Sequence, residues 1–379
     1  MKKITRKGTY KRFSQTREKL STSAKKSNKI SFLSALKIGS VFAGAILGAG
    51  FAGGRELVTF FVRFGKYGVL ASLFAGLLFL IFGTAIIYKA KSTRCTSYIG
   101  YLENILPKKT AYIMNAISEM FLLICFIIML SGAGALFNEC FGVSRVFGSI
   151  ITALISFLVL RGGMKGIGSV CSIMTPVMII GIIYVDLFSL TTSSVPVFGA
   201  VENSKDNFLF SALLYVSYNM LSSAPVLTES SALAQNKKTA LAGGITGGIL
   251  LSIIAFLSCL ALHLTDSENL LCELPLLMLS GKINKFSHIF YALILYMAIL
   301  TTAFSTGYPI VRKLENFSIS RSLASFFLCF FSIWLSFLRF SLLVEKCYTF
   351  FGILGLMLIG AMLFNIIKTL KNNEFRSKI

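Results

Sequence analysis

The chain has 379 residues, of which 55% are hydrophobic and only 14% charged, with a mean hydropathy of +0.78. That balance excludes an ordinary soluble domain and indicates a polytopic membrane protein. A net charge of +22 would suit a nucleic-acid binder, but the positive residues gather in the N-terminal tail and in alternate loops. This is the pattern that orients membrane proteins, so the expected partner is a lipid bilayer and not nucleic acid.

Residues 1–31 are rich in Lys, Arg, Ser and Thr without apolar periodicity and read as a disordered basic tail. They are not expected to be a cleavable signal, because the apolar segment that follows is too long and has no cleavage site after it. A membrane span needs about 20 apolar residues. Ten candidates follow: 33–62, 68–89, 111–137, 145–161, 167–190, 208–234, 239–262, 286–311, 319–338 and 342–367. Placing the N-terminus inside puts most Lys and Arg on the inner side even when the tail is left out, so both termini are expected in the cytoplasm. The expected location is a bacterial inner membrane.

Ten spans divide into two sets of five, 32–190 and 208–367, joined by an outer linker at 191–207 and followed by a tail at 368–379. An odd number of spans per half makes the halves opposite in orientation, so any repeat is inverted. The expected fold is therefore all-α, with ten transmembrane helices in a 5+5 inverted repeat.

The first span carries the strongest local signal. Gly44, Gly48, Gly50, Gly53 and Gly54 interrupt it, and Arg55-Glu56 follow at once. Glycine disfavours helix, and intramembrane charge is costly. Broken backbone at that depth persists only where protein buries it or where it lines a cavity. The sixth span has a matching irregularity, Tyr218-Asn219-Met220-Leu221-Ser222-Ser223-Ala224-Pro225, and Glu229 lies six residues past Ser223 as Glu56 lies six past Gly50. Interrupted spans at corresponding places in two halves mark a transporter site.

Elsewhere, Glu119 in the third span is a candidate proton carrier, with Asn115 as a possible structural partner. Asp186 lies near the outer end of the fifth span, where water could reach it. The two histidines, His263 and His288, fall near span ends and read as interfacial. Cys140, Cys272 and Cys347 fall in or near outer loops, where a disulfide is open. Segment 270–285 is too short to span and could cover an outer vestibule. No metal cluster, phosphate loop or Ser-His-Asp arrangement stands out, so an enzyme is not expected.

Gly48-Ala49-Gly50-Phe51 resembles the Gly-Ser-Gly-Ile type motif of the amino acid–polyamine–organocation superfamily. The longer stretch through Glu56 resembles the YkvI-like bacterial membrane proteins, which are similar in architecture to LeuT-type transporters. The resemblance implies alternating access around a site between spans 1, 3, 6 and 8, with spans 1 and 6 unwound. It implies substrate contacts at Gly48, Ala49 and Gly50 and at Tyr218, Asn219, Ser222 and Ser223. The half-helix N-terminus beyond the break would then face a substrate carboxylate.

It further implies a bound sodium ion held by the span 1 carbonyls of Gly44 and Leu47 and by Thr302, Ser305 and Thr306 of span 8. Ala298-Thr301-Thr302 fits the same spacing. Proton-coupled relatives place a lysine in span 5, where this chain has only Lys165 at the inner end, which favours sodium over a proton. Relatives close an outer gate with a charge pair, here Arg55 with Glu345, although Arg55 has Glu56 and Asp186 as other partners. The implied function is a cation-coupled secondary transporter of a small organic solute, an amino acid or related amine. The alternative is a receptor with the same fold that binds ligand without moving it. No residue pattern names the solute or an oligomeric state.

Overall fold

The computed structural model describes residues 30–95, 97–162, 164–192, 207–263 and 270–377. The basic tail up to residue 29 and nearly all of the outer linker lie outside them. The chain forms helices α1 (Phe32–Ile46), α2 (Ala49–Ala52), α3 (Arg55–Phe60), α4 (Lys66–Thr93), α5 (Tyr98–Glu103) and α6 (Lys108–Phe141). These are followed by α7 (Arg145–Gly162), α8 (Met164–Thr192), α9 (Phe208–Ser230), α10 (Lys237–His263) and α11 (Pro275–Ile283). The last four are α12 (Lys285–Glu315), α13 (Arg321–Leu335), α14 (Phe340–Leu343) and α15 (Thr349–Ser377), with a π-turn at Val344–Tyr348 leading into α15.

Among the described residues, seven helices are long and apolar enough to cross a membrane: α4, α6, α7, the part of α8 from Met174, α10, α12 and the run Phe340–Thr369. This makes a multi-pass, all-α membrane protein. The other three expected spans fall short for separate reasons. The first is cut into α1, α2 and α3, the ninth is only 15 residues long, and the sixth, α9, carries a polar run of Ser, Tyr and Asn.

Packing divides the helices into two groups. α10 lies along α4 and α1, and α9 packs on α4 and α15; α6 packs on α7 and α12, while α12 also meets α8 and α13 meets α7. Small residues allow the tightest of these approaches. A side chain at Gly243 or Gly247 of α10 would meet Ile38 or Phe42 of α1, and one at Gly248 would meet Leu80 of α4. The start of α1 lies beside the start of α10, where Ser31 N donates to Thr239 Oγ1 at 3.2 Å.

The break in the first span is a feature of the backbone. Gly48 N donates to Ile46 O at 2.8 Å instead of reaching back to Gly44. Leu47, at φ −73° and ψ 69°, is the centre of an inverse γ-turn. Gly48 is extended and caps the four-residue α2; Gly54 then takes φ 86°, a left-handed conformation that side chains resist. Its neighbour Gly53 accepts a bond from Leu276 N at 3.0 Å, which fixes the break against α11.

The sixth span corrects the expectation. α9 is continuous from Phe208 to Ser230 and contains Pro225. Its polar side chains bond back to their own helix: Asn219 Nδ2 to Tyr215 O at 3.0 Å, Ser222 Oγ to Asn219 O at 3.1 Å and Thr228 Oγ1 to Ala224 O at 2.8 Å. Such local bonds hold hydroxyl and amide groups without unwinding the helix.

Gly54→Ala forces a side chain into the left-handed region and is expected to cost about 1–2 kcal/mol. Gly162→Ala, with open space around it, is expected to stay within about 0.5 kcal/mol of the parent. Thermal unfolding of the purified proteins in detergent ranks the two.

Candidate functional site

Between the two helix groups lies a narrow crevice. Gly44, Ala45, Ile46 and Gly48 of the broken span form one wall and Tyr218, Asn219, Ser222 and Pro225 of α9 another. Phe121 and Cys125 of α6, Thr302, Ser305 and Thr306 of α12, and Tyr348 of the π-turn complete it, with Glu56 among them. It offers about 50 Å³ to the centres of water molecules, enough for roughly three to five waters.

The crevice runs from Glu56 toward the face where α1 begins. Tyr218 and Tyr348 at its deep end are buried, whereas Pro225, Val226 and Pro309 toward that face are partly exposed.

The deep end is built around Glu56, which is 3% exposed. Its Oε2 accepts the hydroxyl of Tyr218 at 2.6 Å. Its other oxygen lies where a side chain on Gly50 would have to go, so glycine at 50 is what admits the carboxylate. Aromatic rings close around it. Tyr218 stacks on Tyr348 with centroids 4.6 Å apart, and Phe60, Phe121 and Tyr215 approach Tyr218 at 5.4, 6.1 and 5.5 Å. Among the described residues Glu56 makes no ion pair.

The opposite side is closed by polar bonds. Tyr291 donates to Ala52 O at 2.6 Å, and Leu276 N to Gly53 O. Glu273, at the start of the α11 segment, pairs with Arg145 at 2.7 Å and accepts Phe340 N at 3.2 Å, while its own N–H goes to Glu139 at 2.9 Å. Through its carboxylate and its backbone N–H, Glu273 ties α7, α14 and α6 to the segment over the break, in the covering position anticipated for 270–285.

Of the residues singled out from sequence, Gly48, Tyr218, Asn219 and Ser222 meet at the crevice, while Ala49, Gly50 and Ser223 lie behind its surface. Gly44, Thr302, Ser305 and Thr306 line it, but Leu47 does not. Ser305 and Thr306 donate to Thr301 O and Thr302 O at 2.8 and 2.7 Å, which leaves their oxygen lone pairs unspent. Thr302 Oγ1 is buried without a hydrogen-bond partner, and a side chain on Gly48 would sit 3.2 Å from it. In the alternative spacing, Thr301 bonds Ala298 O at 3.1 Å and does not reach the crevice.

The expected charge pair of Arg55 with Glu345 is not formed. Arg55 Nη1 donates to Leu270 O at 3.1 Å, and Glu345 lies 3.8 Å from its neighbour Lys346. Glu119 accepts Asn115 Nδ2 at 2.8 Å and pairs with Lys313 of α12, and Glu229 is exposed at the end of α9. None of these three carboxylates lines the crevice. Asp186, expected near water, is fully buried with Ser258 Oγ donating to it at 2.5 Å. His263 is also buried, its ring nitrogens 2.7 and 2.9 Å from Cys259 O and Gly65 O. Cys140 and Cys347 carry free thiols. Sequence reasoning did not single out Tyr348, Phe121 or Glu273; the first two come from remote helices, and Glu273 looks like an ordinary loop charge.

A broken first span, packed at the seam of two helix groups, defines a polytopic membrane protein of the LeuT-type fold. The chain aligns over 86% of its length with MhsT in complex with L-phenylalanine, at a TM-score of 0.58 and 16% identity, covering 82% of that chain. It aligns with the manganese transporter of Eremococcus coleocola at 0.62 and 14% identity, over 86% of this chain and 78% of the other. With inward-facing Mhp1 the score is 0.61 at 13% identity, over 85% and 73%. In sequence it is 29% identical over 333 residues to the membrane protein YkvI of Bacillus subtilis, covering 87% of this chain and 95% of YkvI. No family model matches the sequence. The chain is thus similar to YkvI over most of both lengths and has the LeuT-type fold.

Replacing Glu273 with Ala is expected to raise amide hydrogen exchange in 274–283 and at 340–343, because both segments lose the same carboxylate. Glu345→Ala is expected to leave both unchanged. Exchange read by mass spectrometry separates the two.

Proposed function

We propose that the protein is a secondary active transporter that moves a small organic solute, of amine or amino acid type, by alternating access coupled to a cation. The observation that carries this reading is the crevice itself: a water-sized passage that starts at a broken membrane helix, lies at the seam of two helix groups, and is shut on one side by exchangeable polar bonds. Interrupted helices at a repeat interface serve transport in many membrane folds. The cargoes in the names of the similar structures, phenylalanine in one and manganese in another, differ widely, so the fold alone does not select the solute.

In this reading residues 32–190 and 208–367 are two inverted five-span halves, with 191–207 as outer linker and both terminal tails in the cytoplasm. The crevice then faces inward. Inward-facing Mhp1 overlays at a TM-score of 0.61 and closed Mhp1 at 0.52, which favours that state. Gly48, Tyr218, Asn219 and Ser222 contact solute.

The coupling ion is sodium. The C-terminal end of α1 turns its carbonyls toward the crevice, and the partial negative charge of a helix C-terminus attracts cations. Gly44 O, freed by the γ-turn, joins the oxygens of Thr302, Ser305 and Thr306, hard donors of the kind such a cation takes.

Uptake into proteoliposomes with and without an inward sodium gradient tests the reading across a panel of amines and amino acids. Sodium-dependent accumulation of at least one solute is expected, and equal uptake in potassium would overturn the coupling. Thr302→Val removes one proposed ligand and should raise the sodium concentration for half-maximal uptake about 10-fold, the equivalent of about 1.4 kcal/mol.

A further inference from the structure

Glu56 is a buried carboxylate with no positive partner among the described residues, and it lines the crevice instead of packing away from it. A buried carboxylate in that position needs a cation or a proton to neutralise it. The crevice wall offers neither Lys, Arg nor His. Glu56 is its one ionisable carboxyl group, and the titratable groups beside it are Tyr215 and Tyr218 of α9, Tyr348 of the π-turn and Cys125 of α6.

The backbone adds to the negative field. α1 has 15 residues and directs its C-terminal end at the break, whereas α2, which starts beyond it, has four. A four-residue helix has little aligned dipole to offer at its N-terminus, whereas the C-terminal end of α1 carries partial negative charge. The expectation that a half-helix N-terminus would hold a substrate carboxylate does not fit so short a helix. The rings of Tyr218, Tyr348 and Phe121 line the crevice with Glu56, and an aromatic face open to a cavity attracts a positive charge.

We propose that Glu56 binds the ammonium group of a small organic amine that lacks a carboxylate, with Tyr218 holding the carboxylate in place and Tyr348 and Phe121 packing on the cation. The crevice, at about 50 Å³, admits only a few heavy atoms. An amino acid in the same place would set its own carboxylate against Glu56 with no base to receive it. The inference rests on the transport reading for the amine's passage across the membrane, and on the crevice alone for its binding.

Purified full-length protein is titrated calorimetrically with ethylamine, ethanolamine, tetramethylammonium, glycine, alanine and acetate. Binding of at least one of the three cations, at least about 10-fold tighter than glycine or alanine, is expected; a tenfold ratio is the smallest that the charge difference should give. Glycine or alanine binding as tightly as the cations, or no cation binding at all, would overturn the proposal.

Glu56→Gln should weaken the cation at least about 100-fold, as loss of a buried charge-assisted contact does. Glu56→Asp should retain part of the affinity, and Glu345→Ala, outside the crevice, nearly all of it. If the Gln variant does not fold, the order wild type, then Asp, together with the wild-type selectivity, still decides the matter. Amine binding without any uptake in proteoliposomes would defeat the transport reading and leave this one standing. Uptake of amino acids that survives Glu56→Gln would do the reverse.

Discussion

The structure depends on one missing hydrogen bond. In a regular helix Gly48 would donate to Gly44; here it turns to Ile46, and the first span stops at residue 46 and resumes at 49. In a bilayer a freed backbone group has no water to fall back on, so the surroundings must answer for it. The answer is visible on both sides. Tyr291 and Leu276 take the carbonyls of Ala52 and Gly53, and the crevice receives what remains at Gly44 and Ala45. The covering segment, the buried tyrosines and the hydroxyls of α12 are all arranged around the consequences of that local departure.

Glu56 belongs to the same logic. Its carboxylate lies over Gly50 because a glycine leaves the space, and Gly50 lies within reach because the left-handed Gly54 bends the chain between the two residues. A straight helix would place residues 50 and 56 nearly two turns apart, on different levels. The break therefore creates the carboxylate site as well as the free carbonyls. Both carry negative character, and the rings around them can meet a cation without competing for hydrogen bonds.

Much of this was legible in the sequence. Five glycines before an Arg-Glu pair announce a break, although only Gly54 takes a backbone that other residues resist, and Gly50 is needed for the space it leaves to Glu56. The hydroxyls at 302, 305 and 306 share a helix face, and they do line the crevice. The sixth span misled because proline and a polar run suggest unwinding, whereas Asn219, Ser222 and Thr228 each satisfy themselves one turn back. The gate misled for another reason. The resemblance paired Arg55 with Glu345, but Glu56 turns into the crevice and Arg55 donates to the carbonyl of Leu270. The charge that does the closing, Glu273, sits in a loop segment where nothing distinguishes it from a solvated acid. Tyr348 and Phe121 are set beside Tyr218 by long-range packing, which a single chain of letters does not encode locally.

The closed side also shows what opening would require. Its ties are the bonds of Leu276 to Gly53, Tyr291 to Ala52, Arg145 and Phe340 to Glu273, and Glu273 to Glu139. Each joins groups that water could serve equally well once the segment lifts. The net cost of exchanging such a bond for one to water is about 0.5–1.5 kcal/mol. A handful of them sums to the few kcal/mol by which a ligand must favour one state to invert a two-state population, about 5.5 kcal/mol for a swing from 1:99 to 99:1. An apolar plug of the same size would resist more and respond less. In the proposed reading a cation bound at Glu56 changes the charge within four residues of Ala52 and Gly53, whose carbonyl bonds must break for the closed side to open.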